Sequence, residues 1–143
     1  MRIRHIGITV KDMDKSLSFY RDTLGFTIAR EMDESGLFID SLSGLKDVKV
    51  KTVKLNAPSP EGGMIELLCY QSHKSDVNFE NITKCGISHF ALTVNDIESL
   101  YNKLRMSKIE FNCEPKLSDD GGAIVTFCRD PENNLIELVQ EVK

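Results

Sequence analysis

Apolar and polar positions follow the same order twice along the chain. Each copy opens with an alternating segment, residues 3–10 in the first copy and 87–94 in the second. Alternation with a period of two is typical of a strand with one buried face. A helical pattern follows each segment, and its apolar members are Met13, Leu17, Tyr20 and Leu24, then Ile97, Leu100, Tyr101 and Leu104. The pattern therefore predicts a duplicated unit that begins with a strand and a helix.

Both predicted helices carry the expected boundary signals. Asp12 or Asp14 can cap the first helix and Asp96 the second, because an aspartate oxygen accepts hydrogen bonds from the first free backbone N–H groups. Gly25 predicts a left-handed stop for the first helix. These signals support a helix at the same place in each copy.

Three strands are predicted after each helix. They cover residues 26–31, 48–55 and 64–70 in the first copy, and 109–112, 122–128 and 134–141 in the second. Turn-rich segments at 56–63 and 129–134 connect the last two strands of each copy. The sequence thus predicts an α+β fold of two tandem βαβββ modules, forming a curved, open mixed sheet. We expect one domain over residues 1–143, with modules near 1–70 and 85–143 and a polar linker at 71–84.

The first copy is longer than the second, and its extra residues fall within 33–47. Gly36, Ser41, Ser43 and Gly44 make this segment turn-rich, which predicts a long loop. Long loops in compact domains often act as lids or binding loops. A passive surface excursion is equally compatible with this composition.

Composition and charge exclude several classes of partner. The net charge of −4 is spread over interspersed acidic and basic residues, so we expect no nucleic-acid partner. No apolar run approaches the length of a bilayer span, and the charged start does not resemble a secretory segment. The four cysteines lack CxxC spacing, which favours reduced, mostly buried thiols of a cytoplasmic protein. A small-molecule substrate or a protein partner remains.

The repeat places a histidine near the start of each copy and a glutamate near its end. His5 corresponds to His89, and Glu66 corresponds to Glu137. Both glutamates interrupt apolar strands, where a lone buried charge costs several kcal/mol. Two carboxylates balance one divalent cation, and two neutral imidazoles complete four ligands. The four residues therefore predict a metal site.

This donor set favours a first-row transition ion. Mixed nitrogen and oxygen ligands suit Ni, Zn, Co, Mn or Fe, whereas calcium and magnesium prefer oxygen alone. Four protein ligands in an octahedral field leave two positions for water or substrate. Taken singly, each residue is more often a hydrogen-bonded strand histidine or a solvent-facing glutamate. Their matched positions in the repeat favour the metal.

The duplicated units and their motifs resemble the vicinal oxygen chelate superfamily, the glyoxalase, bleomycin-resistance and extradiol-dioxygenase group. The resemblance covers essentially the whole chain and rests on the four residues above, on Tyr-Arg-Asp-Thr-Leu-Gly-Phe at 20–26 and on Asp-Pro-Glu-Asn-Asn-Leu-Ile-Glu-Leu at 130–138. Within the superfamily, the pattern is most similar to glyoxalase I (lactoylglutathione lyase). Residues 33–57 depart from the bacterial lyases, and no glutathione-contacting residue can be assigned.

The resemblance implies a metal-dependent lyase or isomerase. It moves a proton next to a carbonyl through a metal-bound enediolate, with glutathione as the co-substrate if the lyase is the right member. Stabilising charge that develops in the transition state is where catalysis gains most. The resemblance implies Glu66 and Glu137 as candidate proton-transferring bases, with either detaching from the metal on substrate binding, and it implies a homodimer. Of the two bases we favour Glu137.

Three other members of the superfamily stay open. A methylmalonyl-CoA epimerase has the same architecture and related chemistry. Extradiol dioxygenases use two histidines and one glutamate on iron, so a fourth ligand argues against that reading. Metal-free drug-binding proteins generally lose the ligands that this chain retains.

Overall fold

Two compact units make up the chain, Met1–Asp76 and Val77–Lys143. A computed structural model describes residues 2–73, 82–83 and 85–142. Each unit has its own open, four-stranded mixed sheet, which confirms the α+β class and the two tandem modules. Most of the predicted linker at 71–84 lies outside the described residues. The assignment of both units to one domain stays a prediction.

The first unit orders its sheet β1-β4-β3-β2. Its elements are β1 (His5–Thr9), α1 (Met13–Leu17), β2 (Thr27–Ser35), α2 (Leu37–Ser43), β3 (Lys49–Asn56) and β4 (Met64–Tyr70). β1 runs parallel to β4, and the other pairings are antiparallel. The Asp12 carboxylate caps α1 by accepting from the Lys15 amide at 3.0 Å. A π-helical segment, Ser18–Thr23, continues α1 and ends before Gly25, whose φ of 82° confirms the left-handed stop.

The second unit repeats this topology in the order β5-β8-β7-β6. Its elements are β5 (Phe90–Thr93), α3 (Ile97–Met106), β6 (Lys116–Leu117), β7 (Ala123–Arg129) and β8 (Leu135–Glu141). β5 is parallel to β8, as β1 is to β4. Asp96 caps α3 by accepting from the Ser99 amide at 3.0 Å. Ile97 and Leu104 of the predicted apolar stripe are fully buried.

The strand predicted at residues 109–112 is wrong. Only an isolated bridge between Phe111 and Cys128 forms there, and the short β6 takes the place beside β7. Lys108 has a positive φ of 61°, and the Ile109 amide donates to the Leu104 carbonyl to close the end of α3. Ile109 therefore closes the helix, whereas Glu110 and Asn112 each make one backbone hydrogen bond with β7, which is too little for a strand.

The long loop predicted at residues 33–47 is also wrong. Residues up to Ser35 extend β2, and Leu37–Ser43 forms α2. The Asp40 carboxylate accepts from the Val48 amide at 2.8 Å and from the Asp47 amide at 3.1 Å, which fixes the entry into β3. We expected a loop because of the glycines and serines in this segment, but Gly36 and Gly44 lie at the two ends of α2, and Ser41 and Ser43 lie within it.

All four cysteines are free thiols. Cys128 is buried, Cys69 and Cys113 are half-buried, and Cys85 is exposed, so the prediction that most are buried is wrong. Cys85 lies in the sequence between β4 and β5, outside both strands. Within the described part of the chain, no helix is long and apolar enough to span a membrane.

Candidate metal site

The first predicted ligand pair lies on one face of the first sheet. The parallel register pairs Gly7 of β1 with Glu66 of β4. His5 lies two residues before Gly7 and therefore on the same face of the sheet. His5 Nε2 lies 3.2 Å from Glu66 Oε2. Because Gly7 has no side chain, nothing from β1 stands between the histidine and the carboxylate.

The second pair repeats this arrangement in the second sheet. Ala91 of β5 pairs with Glu137 of β8, and His89 directly precedes β5. His89 Nε2 lies 3.4 Å from Glu137 Oε2. A small residue again lies opposite the glutamate. The two pairs thus have the same strand register, similar distances between nitrogen and oxygen, and contact through Nε2 in both histidines.

Exposure is also similar in the two pairs. The side chains of His5 and His89 are 32% and 33% exposed, and those of Glu66 and Glu137 are 15% and 24% exposed. Such groups are open enough to meet a ligand, yet partly removed from water. Imidazole nitrogen and carboxylate oxygen are donors that suit a divalent transition ion, so the chemistry of each pair fits a metal.

Each unit provides two of the four predicted ligands. In the described part of the chain, no group of three or more histidine, cysteine, aspartate or glutamate side chains is arranged to hold a metal ion. The structure therefore brings His5 to Glu66 and His89 to Glu137. The four-residue centre stays a prediction.

Lys54 is a site residue that the sequence analysis missed. It lies on β3 directly opposite Glu66, and its Nζ is 3.2 Å from Glu66 Oε1. The two oxygens of Glu66 thus have different partners, His5 on one side and a lysine on the other. The hairpin turn at residues 57–63 was the available signal, because a turn fixes the register of the strands that it joins.

Phe127 occupies the equivalent position in the second unit. It lies on β7 opposite Glu137, as Lys54 lies opposite Glu66. Its ring meets the His89 ring edge-to-face, with centroids 5.2 Å apart and planes at 76°. The surroundings of the two glutamates therefore differ although their positions match.

Ser88 contacts the ring of His89, and the first unit has no serine at the equivalent position. Its Oγ lies 2.8 Å from His89 Nδ1. When this ring nitrogen carries the proton, it donates to the hydroxyl and leaves Nε2 free to bind a metal. The residue before His5 is Arg4, which has no acceptor oxygen in its side chain.

Two other polar segments keep a structural role. His73 is exposed, with its Nδ1 2.8 Å from Ser72 Oγ, as expected of a solvated histidine. In the turn at residues 118–122, the Ser118 hydroxyl donates to Asp120 at 2.6 Å, and the Gly122 amide donates at 3.0 Å. The Ser118 bond first, then that amide, hold the pKa of Asp120 below its usual value. This geometry is that of a turn and supplies no ligand.

Comparison with known families agrees with the fold. Residues 2–138 match the model of the Glyoxalase/Bleomycin resistance protein/Dioxygenase superfamily. The chain belongs to this superfamily. A glyoxalase family protein from Bacillus cereus has the same fold, with a TM-score of 0.90, 21% identity, and coverage of 100% of this chain and 95% of that one.

Relatives within the superfamily carry lyase names. A probable lactoylglutathione lyase from Synechocystis is 32% identical over 98% of this chain and 95% of its own length. A lactoylglutathione lyase from Schizosaccharomyces pombe is 30% identical over 98% of this chain and 47% of its own length. The chain thus spans nearly all of the first relative and about half of the second.

Proposed function

We propose that this chain is a metal-dependent lyase or isomerase of the glyoxalase I type, with His5, Glu66, His89 and Glu137 as the metal ligands. The observation that carries the proposal is the pair of matched histidine–glutamate contacts, one in each unit. Lyase-named relatives that align with almost the whole chain support the same activity. A divalent ion held there supplies positive charge that stabilises negative charge developing on substrate oxygens.

The glutamates are the groups that would move the proton. Glu66 and Glu137 are the candidate bases, each taking or returning a proton at the carbon next to a carbonyl. Each lies on a central strand that hydrogen-bonds to a neighbour on both sides, so the backbone beneath it is rigid. The two side chains are 15% and 24% exposed, so each carboxylate is partly removed from water and still accessible to a substrate.

The proposal extends to the setting of the enzyme. We propose a cytoplasmic homodimer that acts on a small-molecule substrate, with one Ni, Zn, Co, Mn or Fe ion per site and with glutathione as the co-substrate. The four ligands can come from one chain or from both chains of the dimer. Lyase-named relatives are the support for glutathione.

The experiment is an assay on the hemithioacetal of methylglyoxal and glutathione. Protein stripped with a chelator is assayed alone and after addition of each of the five metals. Turnover that depends on the metal is the expected result. Metal binding without turnover on this substrate would contradict the lyase and direct the assay to acyl-CoA epimers.

The roles of the glutamates are tested by Glu66→Gln and Glu137→Gln. Loss of a general base typically lowers turnover by about 10²- to 10⁴-fold. Full turnover in either variant would exclude that glutamate as the base. The exposed Glu61→Gln, in the β3–β4 turn, is the matched control and should leave turnover unchanged.

A further inference from the structure

The two oxygens of Glu66 bind different groups. Oε2 faces His5 Nε2 at 3.2 Å, and Oε1 faces Lys54 Nζ at 3.2 Å. The Lys54 side chain is 29% exposed and that of Glu66 is 15% exposed. Solvent therefore screens this ion pair less than it screens an ordinary surface pair.

Glu137 has different surroundings. The position on the neighbouring strand that holds Lys54 in the first unit holds Phe127 in the second. Phe127 offers a ring rather than a cation, and that ring packs against His89. Of the two predicted carboxylate ligands, only Glu66 has a cation opposite it in the strand register.

We propose that Lys54 competes with the metal ion for Glu66 and makes Glu66 the more weakly held of the two carboxylate ligands. This inference rests on the proposed function, because it concerns the same metal. A carboxylate that leaves a cation must find another partner or stand uncompensated. Lys54 compensates Glu66 when it is off the metal, whereas Glu137 would be left beside a phenyl ring.

The consequence concerns which ligand exchanges. With a metal bound, Glu66 would be the carboxylate that Lys54 can pair with when a substrate oxygen takes its position, whereas Glu137 would have no such cation opposite it. The family resemblance implies that either glutamate can act as the base and leaves open which one exchanges. The difference between the two glutamates arises from two residues, Lys54 and Phe127, that lie on strands adjacent to the ligands.

The test compares metal affinity in wild type, Lys54→Met and Lys51→Met. Zinc affinity is measured by competition with a coloured chelator, independently of turnover. Removing the lysine destabilises the metal-free state, so Lys54→Met should bind zinc about threefold to tenfold more tightly. Lys51 is the matched control, since it lies on the same strand but pairs with Glu31 at 3.6 Å. Its substitution should leave zinc affinity unchanged.

The mirror variant places a lysine in the second unit. Phe127→Lys should weaken zinc binding by about threefold to tenfold, because it supplies Glu137 with a competing cation. Phe127→Met controls for loss of the ring contact with His89. Urea unfolding of the metal-free proteins identifies any variant that does not fold, and the other variant then carries the test.

Unchanged or weaker zinc binding in a folded Lys54→Met would overturn the inference, because Lys54 would then only support Glu66 as a ligand. Unchanged binding in a folded Phe127→Lys would overturn it as well. Zinc binding by the wild-type protein distinguishes failure of this inference from failure of the proposed function. Wild-type protein that binds no metal overturns the proposed function, whereas wild-type binding without the expected changes overturns the competition alone.

Discussion

The first and second units hold the same histidine–glutamate pair in different surroundings. His5 and Glu66 lie beside a lysine, whereas His89 and Glu137 lie beside a phenylalanine and a serine. The backbone register that creates each pair is the same, a parallel strand next to the glutamate strand. The repeated register thus matches the positions of the predicted ligands, whereas the side chains beside them differ. Matched positions therefore do not imply equal contributions to a metal site.

The largest expected effect comes from removing one histidine at a time. His5→Ala and His89→Ala should each lower zinc affinity by more than about 100-fold, because even outer partners of metal ligands contribute 10- to 100-fold. Turnover on the hemithioacetal should fall with metal occupancy. Chelator competition measures the affinity, and His73→Ala, on the exposed segment, is the control. A variant at either position that binds zinc like the wild type would remove that histidine from the site.

Replacing the buried leucine that follows each glutamate with alanine compares how tightly the two units are packed. Leu67 and Leu138 follow the two glutamates and are fully buried. Leu67→Ala and Leu138→Ala should each lower the free energy of unfolding by about 2–5 kcal/mol. Urea unfolding of metal-free protein measures both values. A much smaller loss of unfolding free energy in one unit would show that its sheet packs loosely. The two units would then share strand register but not core packing.

The Asp12 cap of α1 makes the stability of the first unit depend on pH. The backbone bond from Lys15 is the largest cause that lowers the pKa of Asp12 from its ordinary value of 3.8. The stability that this cap contributes is present above that value and is lost as pH falls through the lower folded pKa. Asp12→Asn should flatten the loss of stability below pH 3.8, measured by urea unfolding in a series of acidic buffers. Asp14→Asn, in the same turn, is the control, and an equal flattening there would contradict the cap.

The smallest effect concerns two cysteines. Burial first, and the nearby Asp130 charge second, raise the pKa of Cys128 from 9.0 to about 12, so its thiol stays protonated at pH 8. Native protein should therefore react with iodoacetamide at the exposed Cys85 before Cys128. The folded state keeps the Cys128 proton, so this contribution to stability is present below pH 9.0 and is lost toward 12. Mass spectrometry locates the label, and rapid native labelling of Cys128 would contradict its burial.

Periodicity predicted the elements whose burial pattern is strong. The strand at Met64–Tyr70 has the predicted bounds, since apolar residues flank Glu66 on the face away from it. The α1 cap and the Gly25 stop were also predicted correctly, because these signals act within one helical turn. Local chemistry and period were sufficient for these features.

Features that depend on neighbouring strands were not predicted. Lys54 lies far from Glu66 along the chain, and only the register of the β3–β4 hairpin brings their side chains together. α2 was missed because its apolar side chains Leu37, Phe38 and Leu42 are exposed and show no buried stripe. The repeat predicted matched positions for the two histidines and the two glutamates, and the meeting of all four at one centre stays a prediction.

Metal stoichiometry tests the central claim most directly. Calorimetric titration of chelator-stripped protein with zinc gives the number of ions bound per chain. We expect one ion per chain, because in the proposed site the two histidine–glutamate pairs share one centre. We also expect His5→Ala and His89→Ala each to abolish that one binding event. Two ions per chain, each lost with only one of the variants, would mean that the pairs act separately and would contradict the shared site.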